Sequence, residues 1–197
     1  MVITYYGAAC FKVQSGETVI AFDPPSKESK FKTPRFQTDI ALINRHHPDY
    51  NGWDNLSSKD EKKPVFVVDG PGEYEVSGIY IKGISLPTIY VLLFENINIC
   101  HLGPFAEKNL SPEIKEKIGE VDVLFFPIDE DDGQKAAQLI VQIEPKIAIP
   151  MNYKEGGLKH FLKEFGDNNV KPEEKLTIKK KDLSEEKTQV VVLSPAI

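Results

Sequence analysis

Short apolar, β-branched and aromatic runs fill the first half of the chain, and turn-forming residues separate them, a pattern typical of strands. The segment 14–17 has the composition of a hairpin turn, and Pro24 and Pro25 end the third run because proline cannot donate to a strand ladder. The predicted strands span residues 3–6, 10–13, 19–22, 40–43, 65–68, 74–76, 79–81, 89–94 and 97–100.

The second half alternates between strand and helix patterns. Strands are predicted at 121–127, 147–150 and 190–193, with a weaker one at 176–178. Helices are predicted at 111–119, where Ser111 caps and Pro112 suits the first position, and at 134–143 and 158–165, where apolar residues recur at helical spacing. Strands followed by strand–helix alternation predict two sheets packed face to face with helices outside. No linker divides the sequence, so residues 1–197 are predicted to form a single domain.

Composition narrows the class of protein. Of the 197 residues 41% are apolar and 27% charged, which excludes disorder for most of the chain. The net charge of −6 makes nucleic acid an unlikely partner, although a local basic patch is compatible with it. Cys10 and Cys100 are predicted to be reduced, buried side chains. No apolar run has the ~20 residues of a membrane span, and residues 1–6 lack a leader pattern, so we expect a cytoplasmic protein without membrane contact.

The most informative segment follows the predicted strand 40–43. Residues 44–51 read Asn-Arg-His-His-Pro-Asp-Tyr-Asn. This resembles the signature loop of the metallo-β-lactamase superfamily, whose usual form is Ser-His-x-His-x-Asp-His after a strand. Such a loop gathers imidazoles and a carboxylate around zinc, and the zinc then supplies hydroxide near neutral pH.

The resemblance covers nearly the whole chain and is strongest to the small UlaG-like branch of the superfamily. The order and spacing of six elements match: the opening strand pair at 3–11, the Asp-Pro turn at 23–24, the loop at 69–76, the strand end at 100–103, the strand at 121–124 and the Pro-Met-Asn-Tyr element at 150–153. The resemblance implies an α/β fold, the four-layer αββα sandwich of these metal-dependent hydrolases.

Most metal-ligand positions of the family carry other side chains here. His47 and Asp49 are intact. Residues 48–100 contain no histidine, although the family places one between the signature loop and the strand that ends at Cys100, and Ala8 replaces a further histidine. The substituted ligand positions are Arg45, Tyr50, Pro104 and Asn152.

These substitutions predict that the site holds no metal. Zinc needs about four ligands, a neutral amide is a weak donor and a phenol must first lose its proton. Arg45 would place a fixed positive charge beside the metal, and at ~4 Å and an effective dielectric of 20 each metal charge repels it by roughly 4 kcal/mol. We therefore expect no cofactor, and we expect Arg45 to form an ion pair with Asp49 or another acid.

We accordingly favour a non-catalytic binding, regulatory or assembly protein on a hydrolase scaffold, with a protein partner or a second copy of the chain as possible partners. The alternative is a hydrolase with a reduced or relocated mononuclear zinc or manganese site, which would use His47, Asp49 and either His46 or Tyr50. A third reading is metal-free acid–base chemistry by His47 and Asp49. The sequence identifies neither a substrate nor a partner.

The remaining histidines and charge runs have simpler interpretations. His46 is expected to be hydrogen-bonded or solvated, His101 to lie in a strand beside the core, and His160 to lie exposed on a helix. The acidic run Asp129–Asp132 could hold Mg²⁺, but a solvated loop in which Asp132 caps the next helix is favoured.

A basic loop follows the third predicted strand. Lys27, Lys30, Lys32 and Arg35 are interleaved with two phenylalanines at 31 and 36. This composition suits either a phosphate or other anionic ligand or an ordinary surface loop, and the acidity of the whole chain favours the surface loop.

Overall fold

The computed structural model describes residues 1–60, 62–128, 133–167, 170–184 and 187–196. The strands in this part of the chain are β1 Val2–Tyr5, β2 Phe11–Ser15, β3 Thr18–Phe22, β4 Ile40–Leu42, β5 Phe66–Val68, β6 Gly72–Val76, β7 Ile79–Ile84, β8 Ile89–Phe94, β9 Ile97–His101, β10 Val123–Pro127, β11 Ile147–Met151, β12 Leu176–Thr177 and β13 Gln189–Val190. The helices are α1 Pro112–Ile118, α2 Gly133–Ile143 and α3 Glu155–Phe165, with 3-10 helices at Trp53–Asn55 and Lys180–Asp182.

The strands form two mixed sheets. The six-stranded sheet has the order β12-β1-β2-β3-β4-β5, antiparallel from β12 to β3 and parallel from β3 to β5. The seven-stranded sheet has the order β13-β11-β10-β9-β8-β7-β6, antiparallel from β6 to β9 and parallel from β9 through β13. Both sheets therefore combine hairpins with crossover connections.

The main core lies between the two sheets. The Phe11 and Phe125 rings stack with centroids 4.1 Å apart, and Phe22 meets Phe125 edge-on at 5.6 Å. A second core lies on the other face of the seven-stranded sheet, where Phe161 of α3 packs against Phe126 at 5.2 Å and buried residues of α1 and α2 join it. Two packed sheets with a few helices outside them confirm the predicted α/β sandwich.

Connections rather than long helices cover the outer face of the six-stranded sheet. Val19, Ala21 and Ala41 alternate with the inward-facing residues and are nevertheless at most 1% exposed. Strands β3, β4 and β5 are parallel, so the chain must cross over between them, and the β4–β5 crossover contains the first 3-10 helix. These crossovers carry both the basic loop and the signature loop.

Several details refine the sequence predictions. Helix α3 begins at Glu155, three residues before the predicted start, and the last strand is shorter than predicted. Cys10 and Cys100 are free and buried, as predicted. No helix within the described ranges is long and apolar enough to cross a bilayer. The acidic run 129–132 lies outside the described residues, and the single-domain assignment stays a prediction.

Candidate functional site

The signature loop starts from a buried anchor at the end of β4. The Asn44 backbone N–H donates to Asp23 Oδ1 at 2.8 Å, and the Asn44 carbonyl accepts from the Thr88 N–H at 2.9 Å. The Asn44 side-chain amide also donates to the Thr88 carbonyl. Gly103 packs beneath it with φ +60°, and a Cβ there would lie 2.6 Å from the Asn44 amide nitrogen. The base of the loop is thereby fixed between the ends of β3 and β9 and the β7–β8 turn.

The two retained ligand residues, His47 and Asp49, bond to each other and to the basic loop. His47 Nδ1 accepts from the Asp49 backbone N–H at 3.2 Å and lies 3.6 Å from Asp49 Oδ2. The other carboxylate oxygen, Asp49 Oδ1, accepts from the Ser29 hydroxyl at 2.5 Å. The Ser26 N–H donates to the Pro48 carbonyl at 2.7 Å and fixes the two loops together. Asp49 is therefore already engaged where the family uses an aspartate as a metal ligand.

The predicted ion pair between Arg45 and Asp49 is wrong. Arg45 is exposed, and no acid within the described residues lies within 4.0 Å of its guanidinium. The Asp49 carboxylate accepts from the Ser29 hydroxyl instead, and the Asp49 backbone N–H donates to His47 Nδ1. An exposed arginine gains little from an ion pair because it keeps its hydration in solvent. Within the part of the chain that the structure describes, no carboxylate therefore neutralises the fixed charge of Arg45, which lies at the position of the first metal histidine.

The other substituted positions offer poor metal donors. Tyr50 is half-buried against the inter-sheet core. Burial raises the pKa of its phenol, the nearby carboxyls of Asp23 and Asp49 raise it further, and the charge of Arg45 lowers it in part. Its hydroxyl therefore keeps its proton. Asn152 presents a neutral amide to solvent, and Pro104 has no side-chain donor atom.

The outlying histidines lie as predicted. His46 is exposed, with Nε2 3.5 Å from Asp69 Oδ2 and Nδ1 3.1 Å from the Asn51 amide nitrogen. His160 lies on α3 with Nε2 3.8 Å from Glu164 Oε1. Neither histidine is aimed at His47 or Asp49 by these contacts.

A buried Asp23–His101 pair beneath the loop was not predicted. Both side chains are 0% exposed, and Asp23 Oδ2 lies 3.9 Å from His101 Nδ1. His101 Nδ1 accepts from the Gly103 N–H at 3.1 Å, so the proton lies on Nε2, which donates to the Ala9 carbonyl at 3.0 Å. The sequence offers one signal for this pair, since each residue ends a run of residues that the strand pattern predicts to be buried.

Burial sets the protonation of this pair. Burial lowers the pKa of His101 to about 4, although the Ala9 carbonyl raises it in part. Burial also raises the pKa of Asp23 well above its usual range, although the hydrogen bond from the Asn44 N–H lowers it in part by favouring the carboxylate. Asp23 Oδ2 has no hydrogen-bond partner among the described residues. The imidazole is therefore neutral at physiological pH, and burial disfavours a charge on the carboxyl.

The donor set as a whole does not fit a zinc site. No group of three or more His, Cys, Asp or Glu side chains within the described ranges is arranged to hold a metal ion. The retained pair supplies one imidazole and one carboxylate, and the neighbouring family positions add a cation, a protonated phenol, an amide and a proline. The side chains at this cleft instead suit the binding of a ligand by charge and hydrogen bonds.

Comparison with known proteins now decides the family. The family model for the β-lactamase superfamily domain matches residues 2–152. This chain belongs to the metallo-β-lactamase superfamily. A superfamily protein from Thermotoga maritima has 28% identical residues and a TM-score of 0.79, covering 98% of this chain and 100% of its own. Igni18, a metallo hydrolase from Ignicoccus hospitalis, shares the superfamily fold at 17% identity and a TM-score of 0.62, covering 97% of this chain and 94% of its own.

Two archaeal relatives of this chain align with it over most of their length. A UPF0173 protein of Pyrococcus abyssi is 24% identical over 181 residues, which covers 78% of this chain and 83% of that protein. A UPF0173 protein of Pyrococcus furiosus is 27% identical over 200 aligned positions, which covers 86% of this chain and 93% of that protein. Each alignment thus covers most of this chain and most of the relative.

Proposed function

We propose that this superfamily member binds a ligand in its cleft and does not carry out metal-assisted hydrolysis. The observation that carries the proposal is the exposed guanidinium of Arg45 at the position of the first metal histidine, with no acid of the described residues within 4.0 Å of it. Its charge repels a dication and cannot be removed by deprotonation. The same charge attracts an anionic ligand.

The retained pair supports this proposal. The Ser29 hydroxyl and the Asp49 N–H already occupy Asp49 Oδ1 and His47 Nδ1, two of the atoms that could otherwise bind a metal. A metal at Asp49 Oδ1 would have to displace a 2.5 Å charge-assisted hydrogen bond, which is among the stronger hydrogen bonds in proteins. A regulatory or assembly role, a protein partner or second copy, and the cytoplasmic location stay predictions from the sequence.

A second candidate is a hydrolase with a reduced mononuclear site. It is favoured by His47, whose side chain is 47% exposed and whose Nε2 receives no hydrogen bond from the described residues. Zinc or manganese at this nitrogen, with Asp49 and either His46 or Tyr50, would be the metal-dependent form. The 3.6 Å contact between His47 and Asp49 also suits a metal-free acid–base pair.

Metal content and hydrolysis, measured together, test the proposal. Protein purified without chelators or metal-affinity columns is analysed for metals, and hydrolysis of an aryl phosphodiester and a simple lactone is followed with added zinc or manganese. We expect substoichiometric metal and no turnover above that of the His47→Ala variant. Near-stoichiometric metal that the His47→Ala variant loses, or metal-dependent turnover, contradicts the proposal. Metal-free turnover that His47→Ala abolishes also contradicts it and establishes the acid–base reading.

A further inference from the structure

A wide cavity beside the signature loop is lined by cations to which the described part of the chain supplies no acidic partner. The cavity measures about 1330 Å³, and its wall includes Lys27, Lys32 and Arg35 with the rings of Tyr6 and Phe36. All three cations are exposed, and no acid in the described ranges lies within 4.0 Å of any of them. Three such cations around one cavity suit a ligand with several negative charges.

The charge of this segment contrasts with that of the rest of the chain. Residues 26–37 contain four cations and one acid, a net charge of +3, in a chain whose net charge is −6. The remaining residues therefore carry −9. Like charges held together without partners repel one another, so a bound anion would relieve a cost that the free protein bears.

The loop that carries these cations is held in place. The Thr33 hydroxyl donates to the Ser26 carbonyl at 3.0 Å, and the ring of Phe36 packs against Tyr6 with centroids 4.9 Å apart. The Lys12 ammonium lies 5.5 Å from the centroid of the same Phe36 ring. These contacts fix the loop before any ligand arrives, which lowers the entropy cost of binding.

The cavity adjoins the former metal position. A smaller cavity of about 630 Å³ is lined by His46 and His47, and Lys27, Asp54 and Asn55 line both cavities. Asp54 is an acidic residue in the wall of the larger cavity. Because it also lines the smaller cavity, it lies at the end of the larger cavity that is nearest to the signature loop. A ligand can place its anionic group against Lys32 and Arg35 and extend its remaining part toward His47.

Building on the proposed function, we infer that this cavity binds a small organic phosphate with two or more negative charges. Arginine donates two parallel hydrogen bonds to a phosphate, and lysines add point charges around it. A long nucleic acid is disfavoured, because beyond the cavity it would meet a protein whose net charge has the same negative sign as its own phosphates. The phosphate is bound here and is not hydrolysed.

Calorimetric titration with inorganic pyrophosphate tests the inference in metal-free protein. We expect saturable binding that weakens as salt rises, and at least about tenfold weaker binding for the Lys32→Ala/Arg35→Ala double variant. The matched control, Lys62→Ala/Lys63→Ala, removes two exposed cations outside the cavity and should bind like the wild type. Arg35→Lys keeps the charge but loses the two parallel hydrogen bonds of arginine, so its affinity for pyrophosphate should lie between that of the wild type and that of Lys32→Ala/Arg35→Ala.

Two further ligands in the same titration test whether the cavity prefers a small phosphate to a carboxylate or to a nucleic acid. Citrate, a tricarboxylate, should bind more weakly than pyrophosphate, and a single-stranded oligodeoxythymidylate should not bind more tightly than pyrophosphate. Absence of pyrophosphate binding, or equal loss in both double variants, overturns the inference and leaves the metal-free proposal standing. Tighter, cavity-dependent binding of the oligonucleotide or of citrate overturns the assignment to a small phosphate. Hydrolysis of pyrophosphate on adding zinc or manganese refutes the proposed function instead.

Discussion

The Asn152 backbone N–H donates to the Ala8 carbonyl at 2.7 Å, and both residues have left-handed backbone angles with φ near +50°. The two residues stand where the family resemblance places metal histidines. The backbone thus still brings the start of the six-stranded sheet and the end of β11 together. The backbone holds these two positions together, while neither Ala8 nor Asn152 offers the imidazole that the family resemblance implies there.

Restoring the side chains should therefore restore metal binding. We expect the quadruple variant Arg45→His/Tyr50→His/Pro104→Asp/Asn152→His to bind about one zinc ion per chain, because it adds three imidazoles and a carboxylate to the native His47 and Asp49. Equilibrium dialysis followed by elemental analysis measures the stoichiometry. The same variant with His47→Ala added serves as the control and should bind less zinc. If the protein stays metal-free with these four ligand positions restored, the backbone geometry itself differs from that of a metal site.

The hydrogen bond between Ser29 and Asp49 should couple the basic loop to the signature loop. We expect Ser29→Ala to lower the free energy of unfolding by about 1 kcal/mol, which shifts the melting temperature by about 2–4 °C in a chain of this size. Ser29→Thr keeps the hydroxyl and should retain most of the stability. Ser29 also accepts from the Phe31 N–H, so a double-mutant cycle with Asp49→Asn is needed to isolate the pair. A coupling energy near zero would contradict the contact.

Buried His101 should make the protein less stable as the pH falls from about 6.5 to 4. The ordinary pKa of histidine is 6.5 and that of folded His101 is about 4, so in this window the unfolded chain takes up a proton that the folded chain excludes. The loss is roughly 3 kcal/mol, it is absent above this window, and it is complete below it. Urea unfolding at several pH values measures it. His101→Gln should remove this part of the slope, while exposed His160→Gln should keep it.

Buried Asp23 should act in the opposite direction. Its folded pKa is raised above the ordinary value of 3.8, so above that pH the unfolded chain releases a proton that the folded chain tends to hold. The contribution of Asp23 therefore becomes less favourable as the pH rises. In the same urea series, Asp23→Asn should gain stability relative to the wild type with increasing pH. A relative gain that stays constant or falls with pH would show that Asp23 is ionised in the folded protein.

The sequence predicts the strands, the helices and the signature loop because these depend on local patterns. Alternating apolar runs identify the sheets, and the spacing of Ser111, Pro112 and Gly119 defines α1, where Ser111 Oγ does accept from the Ile114 N–H at 3.2 Å. The ligand positions follow from their place after strands β4, β9 and β11. Each of these features is contained in a few consecutive residues.

Contacts between distant segments are where the sequence prediction fails. Ser29 reaches Asp49 because the β3–β4 crossover folds back onto the signature loop, and no local pattern encodes that 20-residue separation. The Asp49 carboxylate accepts from Ser29 and does not form the ion pair that was expected with Arg45. For the same reason the sequence could not show that the basic loop lines a cavity, nor that Asp23 and His101 meet in the core.

Zinc binding by the wild-type protein tests the central claim most directly. Metal-free protein is dialysed against excess zinc, washed free of unbound metal and analysed beside the His47→Ala variant. We predict little retained zinc and no difference between the two proteins, because Arg45 repels the dication and Ser29 holds Asp49. About one zinc ion per wild-type chain, lost in His47→Ala, would contradict a metal-free cleft and establish the reduced hydrolase site instead.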